Sequence, residues 1–164
     1  MPLLSFASVL ALLSMLASAT FAADACSLLS ENEAAALLGQ PVAQVTPAGP
    51  KHDEDSGGQM SYCTYRATAT AVIVSVVEFS SAAEAQKQLT ENLVRERMRA
   101  EDAKISEEPG VGEKSFYGVS TRGATFVFLK KNKVVSVGVG GRPGQALASK
   151  EALRSAAQAV ASKV

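Results

Sequence analysis

Residues 61 to 79 read SYCTYRATATAVIVSVVEF, and this stretch decides the fold because it contains two strand-forming segments joined by a short turn. Its second half is a dense run of β-branched residues that ends in Phe79, and both alternating faces of the run are largely apolar. An apolar character on both faces is typical of a strand in the interior of a sheet. We therefore predict a hairpin of Met60 to Thr68 and Ala71 to Phe79, with the second strand inside the sheet.

The first strand of this hairpin carries Cys63, and the chain has one other cysteine, Cys26. Two cysteines in an exported chain are most simply explained by a single disulfide. A metal or redox pair is the competing interpretation, but the chain has no CxxC spacing and no third cysteine. The sequence therefore predicts a structural bridge between Cys26 and Cys63.

The N-terminal segment is typical of a secretory signal peptide. An apolar core from Leu3 to Leu16 is followed by small residues, and the first charged residue is Asp24. We favour cleavage after Ala22, with cleavage after Ala19 as the alternative. The prediction is a signal peptide of residues 1–22 in an exported protein, periplasmic or secreted.

Residues 23–164 are predicted to form a single domain, because their number suits one hydrophobic core. Two other interpretations of the N-terminus remain open. No lysine or arginine precedes the apolar run, so an uncleaved membrane anchor is the alternative location. A lipid anchor on Cys26 is disfavoured, because Asp24 places a charge where a lipobox has small or apolar residues.

The charge balance restricts the partners. The chain has 16 basic and 16 acidic residues, and all of them follow residue 22. A neutral chain argues against nucleic acid and against adsorption to an anionic membrane, since both need a net basic surface. We expect no cofactor, no membrane span after signal cleavage, and an unidentified protein or small ligand of the cell envelope as partner.

The remaining pattern predicts an α+β protein. Capping boxes at Ser30 and Ser81 begin a short helix and a long helix to about Ala100. The further predicted elements are a strand from Pro41 to Val45, a loop from Thr46 to Gln59, strands Lys114 to Val119, Gly123 to Lys130 and Lys133 to Gly140, and a helix from Gln145 to Lys163. Together they predict a two-layer sandwich, with a mainly antiparallel sheet of about six strands, two long helices on one face and a short N-terminal helix.

The only histidine, His52, limits the catalytic and metal-binding options. A histidine-dependent nucleophile would have to use it, and a zinc site would have to combine it with Asp53, Glu54 or Asp55. Adjacent side chains on an extended segment point apart, so these residues cannot enclose a metal by themselves. We predict no catalytic and no metal residues, with His52, Asp53 and Asp55 as weak metal candidates.

Three other residues are candidates for partner contacts. Tyr62 and Tyr117 are aromatic residues that could anchor a partner. Arg142 lies in a glycine-rich segment, GVGGRPG from Gly138, that departs from the spacing of a phosphate-binding loop but could hold an anion at a helix start.

The chain resembles a family of small exported bacterial domains of unknown function, many of them lipoproteins and often actinobacterial. The resemblance spans most of the chain after the signal segment, although each motif is short. It rests on Cys26-Ser27-Leu28-Leu29-Ser30, Glu33-Ala34-Ala35, Leu38-Gly39, Cys63-Thr64-Tyr65 and Gly110-Val111-Gly112-Glu113. The resemblance implies an exported domain with an N-terminal disulfide and implies no catalytic residue.

These observations favour a non-enzymatic binding domain that uses one sheet surface or the loop from Thr46 to Gln59. The alternative is a small periplasmic hydrolase or a weak metal-binding protein that uses the His52 loop.

Overall fold

The computed structural model describes residues 24–99, 102–143, 145 and 147–164, without the side chains of residues 92–99. The predicted signal peptide and the predicted helix end at Ala100 lie outside the described residues. In the described part, no helix is both long and apolar enough to cross a membrane.

The described chain combines two short and two long helices with a single antiparallel sheet. The elements in order are α1 Ala25–Leu28, α2 Glu31–Leu38, β1 Gln44–His52, β2 Gln59–Arg66, β3 Thr70–Glu78, α3 Ala82–Arg99, β4 Lys104–Glu107, β5 Lys114–Ser120, β6 Gly123–Lys130, β7 Lys133–Gly141 and α4 Lys150–Lys163. The sheet order is β1-β2-β3-β7-β6-β5-β4, and every neighbouring pair is antiparallel. The α+β class, the central hairpin and the interior place of β3 are therefore confirmed.

The sheet has seven described strands where about six were predicted, and its first strand spans Gln44–His52 instead of Pro41 to Val45. β4 was missed because it has only four residues, and most of its side chains are exposed. The predicted loop from Thr46 to Gln59 was wrong over most of its length, since β1 pairs with β2 as far as His52. β1 lies at the sheet edge and contains a register shift between Ala48 and Lys51, and both features tolerate proline because few ladder hydrogen bonds are needed there.

The predicted placement of both long helices on one face was also wrong. Strand β7 has buried apolar residues on each face, Val134 on one and Val135 on the other. Val135 belongs to the main core, which also contains Leu153 and Val160 of α4. Val134 packs instead with Ala85 and Leu89 of α3. Each apolar face of the central strands needs its own cover, so α3 and α4 lie on opposite sides of the sheet.

The N-terminal helices are fastened to the α4 side of the sheet. A disulfide joins Cys26 to the fully buried Cys63 on β2. The Tyr65 hydroxyl lies within hydrogen-bonding reach of the Cys26 carbonyl, at 3.2 Å, and of the Leu29 carbonyl. Lys163 at the end of α4 donates to the Leu28 carbonyl at 2.9 Å. The predicted capping box of α2 is present, with Glu33 accepting from the Ser30 amide at 2.7 Å.

We expect the disulfide to contribute a large share of the stability. It joins residues 37 apart in sequence, and for that loop length the chain-entropy model gives about 4 kcal/mol. The double variant Cys26→Ala/Cys63→Ala should therefore have a free energy of unfolding lower by about that amount in urea titrations. A reducing agent should lower the midpoint of the wild type and leave the variant unchanged. Equal midpoints for the oxidised wild type and the variant would contradict this role.

A second fastening joins the segment before β5 to α4. Glu108 binds Lys150, at 2.5 Å, and Arg154, and its side chain is only 12% exposed. Hydrogen bonds from Lys150 and then Ser106 lower the pKa of Glu108, and the positive charges of Lys150 and Arg154 add to this shift. The ionised carboxylate therefore holds the β4–β5 connection against the helix.

This cluster predicts a pH-dependent loss of stability. Because the folded-state pKa of Glu108 is lowered, its contribution is complete above the unfolded pKa of about 4.3 and is lost as the pH falls through the folded value. Glu108→Gln should be less stable than the wild type at pH 7, and the difference should shrink on acidification toward pH 3 in denaturant titrations. Glu33 and Asp102 also have lowered pKa values and remain in both proteins, so the difference isolates Glu108. A difference that does not change with pH would contradict the assignment.

Candidate functional site

The sheet face that carries α3 contains an open groove with a volume of about 670 Å³. Strands β3, β5, β6 and β7 supply its floor, and the loop after β1 lies at one end. The floor combines aliphatic side chains with small ones: Ile73, Ser75, Thr125, Val127, Ser136 and Gly138. The α3 residues described as packing on this face are Ala85 and Leu89, near Val134.

The floor is low because β7 alternates between large and small residues. Val135, Val137 and Val139 are buried on the α4 side, whereas Ser136, Gly138 and Gly140 line the groove. Successive side chains of a strand point to opposite faces, so this period of two produces one packed face and one shallow face. The same alternation is visible in the sequence VVSVGVGG from Val134, and it was the signal that could have located the groove.

Three hydroxyl groups lie across the middle of this floor. The hydroxyls of Ser75 on β3 and Ser136 on β7 are 2.7 Å apart and share a hydrogen bond. Thr125 on β6 pairs with Gly138, and a Cβ atom at Gly138 would lie 2.2 Å from the Thr125 hydroxyl oxygen. Because Gly138 has no Cβ atom, the Thr125 side chain has room to lie over β7.

The groove has different charges at its two ends. Strand register places Arg66, Ala71, Gly140 and Gly123 in one row across the sheet, and Arg122 lies in the adjoining β5–β6 turn. Asp53 and Asp55 line the groove from the loop beyond the opposite ends of the strands. Six residues separate Gly140 from Val134 along β7, so the floor between the two ends is about 20 Å long.

Ile73 is the most exposed large apolar residue of the described chain, with 45% of its surface accessible, and it lines the groove. Val45 on β1 is the other large apolar residue in this class, at 38%, and it does not line the groove. Scattered apolar residues are normal on protein surfaces, whereas an exposed one that lines a concave groove indicates a binding surface.

The weak metal candidates do not form a metal centre. His52 is exposed at the end of β1, where it pairs with Gln59. Asp53 accepts a hydrogen bond from the Ser56 hydroxyl at 2.5 Å, and its carbonyl accepts from the Gly57 amide, which closes the loop into a turn. Within the described residues, no group of three His, Cys, Asp or Glu side chains could hold a metal ion.

The candidate contact residues lie in different places. Tyr117 is on the α4 side, with its ring centroid 5.1 Å from that of Phe126 and the Lys150 ammonium 5.1 Å above it, and burial raises the pKa of its hydroxyl. Tyr62 is half-buried on β2, where the Lys51 ammonium lies 6.0 Å from its ring centroid. Arg142 lies in a second, smaller cleft of about 300 Å³. The structure therefore does not bring these three residues together.

The glycine-rich segment also differs from the predicted turn at a helix start. β7 continues to Gly141, and α4 begins only at Lys150, with Ser149 as its N-cap. Arg142 is thus separated from the helix N-terminus, and Gly138 and Gly140 belong to the groove floor.

The groove is chemically suited to binding. Its described lining contains no histidine and no cysteine, and the paired hydroxyls of Ser75 and Ser136 have no base among their hydrogen-bond partners. A serine nucleophile needs such a base to accept its proton. The described groove therefore provides apolar contact area, hydroxyl groups and charged ends.

Comparison with known proteins identifies the fold and no family. No protein-family model matches the chain, and no curated protein matches it. Among solved structures, the extracellular domain of PknH from Mycobacterium tuberculosis is similar, with a TM-score of 0.56 and 12% identity over 84% of this chain and 92% of that chain. A match to an uncharacterized protein from Mycobacterium smegmatis, the Rv0999 ortholog, has a TM-score of 0.31 and 17% identity over 73% of this chain and 86% of that chain. At these identities the likeness to the PknH domain shows the fold alone.

The close approach at the centre of the floor can be tested with a double-mutant cycle. Gly138→Ala should destabilise the domain by about 1–3 kcal/mol, because its methyl group would meet the Thr125 hydroxyl. In a Thr125→Ala background the same substitution should cost less, since the obstructing oxygen is gone. Urea titrations of the four proteins measure this coupling. Additive effects would show that Thr125 is not the obstacle.

Proposed function

We propose that this protein is an exported, non-enzymatic binding domain that holds a small ligand with an apolar body in the groove beside α3. The observation that carries the proposal is the exposed Ile73 on the apolar floor of a concave groove. The main core on the opposite face of the same strands is fully covered by α1, α2 and α4. Exposure on one face of a well-packed sheet favours a function for that face.

The dimensions and chemistry of the groove support a small-molecule ligand. Its volume of about 670 Å³ lies within the range of about 300–1,000 Å³ that is usual for ligand pockets. Apolar residues that include Met60, Val77, Ile105 and Phe116 line the groove around the floor, and the hydroxyls of Ser75, Ser136 and Thr125 can orient polar groups of a ligand. This combination of apolar surface and a few polar groups is typical of ligand sites.

Two observations support an exported location in the cell envelope or outside the cell. The Cys26–Cys63 disulfide suits an oxidising compartment. The solved structure that the fold resembles at a TM-score of 0.56 is itself described as an extracellular domain. Both agree with the signal peptide that the N-terminal sequence predicts.

The absence of an activated nucleophile in the described groove supports a binding function over catalysis. His52 ends the edge strand β1 and is exposed, whereas the serine pair of the floor lies on β3 and β7 near the sheet centre. Strand β2 lies between β1 and β3, and Ser75 pairs with Tyr62 and through it with Ala48, four residues before His52. The two groups that a hydrolase would have to combine therefore lie on separate parts of the sheet.

A matched pair of exposed residues tests the groove. Ile73→Glu places a charge on the apolar floor, and it should weaken the binding of N-phenyl-1-naphthylamine by about tenfold or more, measured by the dye's fluorescence. Val45→Glu makes the same chemical change outside the groove and should leave dye binding unchanged. Both sites are exposed, so urea midpoints should change little.

Equal loss of dye binding in the two variants, or no dye binding by the wild type, would contradict the groove as the site. A separate result would contradict the proposal that the domain is not an enzyme. Hydrolysis of a p-nitrophenyl ester by the wild type that His52→Ala abolishes would show that the domain is a hydrolase.

A further inference from the structure

We propose that the ligand is a single-chain amphiphile with an anionic head group, and that the head binds at the arginine end of the groove. We define the arginine end as Arg66, Arg122 and Arg142. This inference rests on the proposed function, because it assumes that the groove holds the apolar part of a ligand.

The sheet register brings the arginines to one end. Tyr65 is buried on the α1 side of β2, so alternation places Arg66 on the groove face. Arg66 pairs with Ala71 on β3, and Ala71 pairs with Gly140 on β7. The residues between Arg66 and the far side of the row are thus small, and no large side chain separates the arginine from the groove floor.

A cleft for the head group adjoins the groove. The cleft of about 300 Å³ is lined by Arg66 and Arg142 together with small residues of the β2–β3 turn. Gly140 lines both this cleft and the groove, and Arg122 lines the groove beside it. A ligand chain on the floor could therefore continue into the cleft without crossing a side chain of β7.

The arginines at this end have no strong internal partner. Among the described residues, the guanidinium groups of these three arginines form no ion pair and no hydrogen bond, whereas that of Arg154 is held by Glu108. Arg122 interacts electrostatically with Asp102. The pKa of Asp102 is lowered first by hydrogen bonds from Thr121, and the charge of Arg122 contributes last. Within the described ranges, Arg66 and Arg142 therefore have no ion-pair partner and are exposed to a ligand.

Charge complementarity then defines the head group. Guanidinium groups match the planar oxygens of carboxylates and the oxygens of phosphates, and they bind both with charge-assisted hydrogen bonds. Asp53 and Asp55 line the opposite end of the groove, where Lys133 is paired with Glu78, so an anionic head is favoured at the arginine end. The floor of about 20 Å between the ends suits an extended hydrocarbon chain.

The experiment compares probes that share one alkyl chain and differ in the head. Dodecyl phosphate, laurate, dodecyl maltoside and dodecyltrimethylammonium are titrated below their micelle concentrations against bound N-phenyl-1-naphthylamine, with inorganic phosphate as the chain-free probe. The two anionic probes should displace the dye at concentrations at least about tenfold lower than the cationic probe. Raising the salt concentration should narrow that difference, because the arginines are exposed.

Substitutions assign the head group to its site. Arg66→Gln and Arg142→Gln should each lower the affinity for dodecyl phosphate by about tenfold and leave the affinity for dodecyl maltoside unchanged. The control is Lys87→Gln, which removes one positive charge from the exposed surface of α3 and should leave every probe unchanged. Arg66 and Arg142 are exposed, so urea midpoints should confirm that the variants are folded.

The outcomes separate this inference from the proposed function. If no amphiphile displaces the dye and the dye itself does not bind, the groove is not a ligand site and the proposed function fails. If all head groups displace the dye equally well, or if the arginine variants bind dodecyl phosphate normally, the groove is still a ligand site but the assignment of an anionic head group is wrong. If inorganic phosphate binds as tightly as dodecyl phosphate, the arginine end binds a free anion, and the assignment of an amphiphilic ligand is wrong.

Discussion

The two-sided burial of strand β7 is the constraint on which the rest of the structure depends. Val135, Val137 and Val139 need a cover on one face, and α4 supplies it together with the N-terminal helices. Val134 needs a cover on the other face, and only the first turns of α3 are described as packing there. Because burial of these aliphatic groups is the main favourable term in folding, helices are required on both sides of the sheet.

The groove arises because the two faces of β7 carry different amounts of apolar surface to bury. At the Val134 end of β7 the second face is apolar and is covered, whereas toward Gly140 it carries serine and glycine and has little to bury. The hydroxyls of Ser75, Ser136 and Thr125 line this part of the groove. The small serine and glycine residues of β7 bury little on this face and give it its concave shape. The main core lies on the other face, so its packing does not depend on the groove.

Ion pairs join the segments around α4 and α2, whereas the arginines at one end of the sheet have no ion-pair partner among the described residues. Glu108 neutralises Lys150 and Arg154 beside α4, and Glu33 lies 3.7 Å from Lys163 near α2. The turns beside Gly140 have few carboxylates among the described residues, so the arginines there face solvent. The overall charge of the chain is zero, and yet its distribution is uneven. The zero net charge argues against nucleic acid as a partner, but it carries no information about a local anion site.

The sequence by itself determined the local elements: the hairpin from β2 to β3, the capping box at Ser30, the disulfide between the only two cysteines and the α+β class. These follow from periodicity, capping and cysteine count, which are properties of neighbouring residues or of composition. Only the tertiary structure decided the side on which α3 packs, the pairing of β1 as far as His52, and the meeting of Arg66 with Arg142. Those features depend on which strands become neighbours, and strand order is set by burial summed over the whole sheet, which no local pattern encodes.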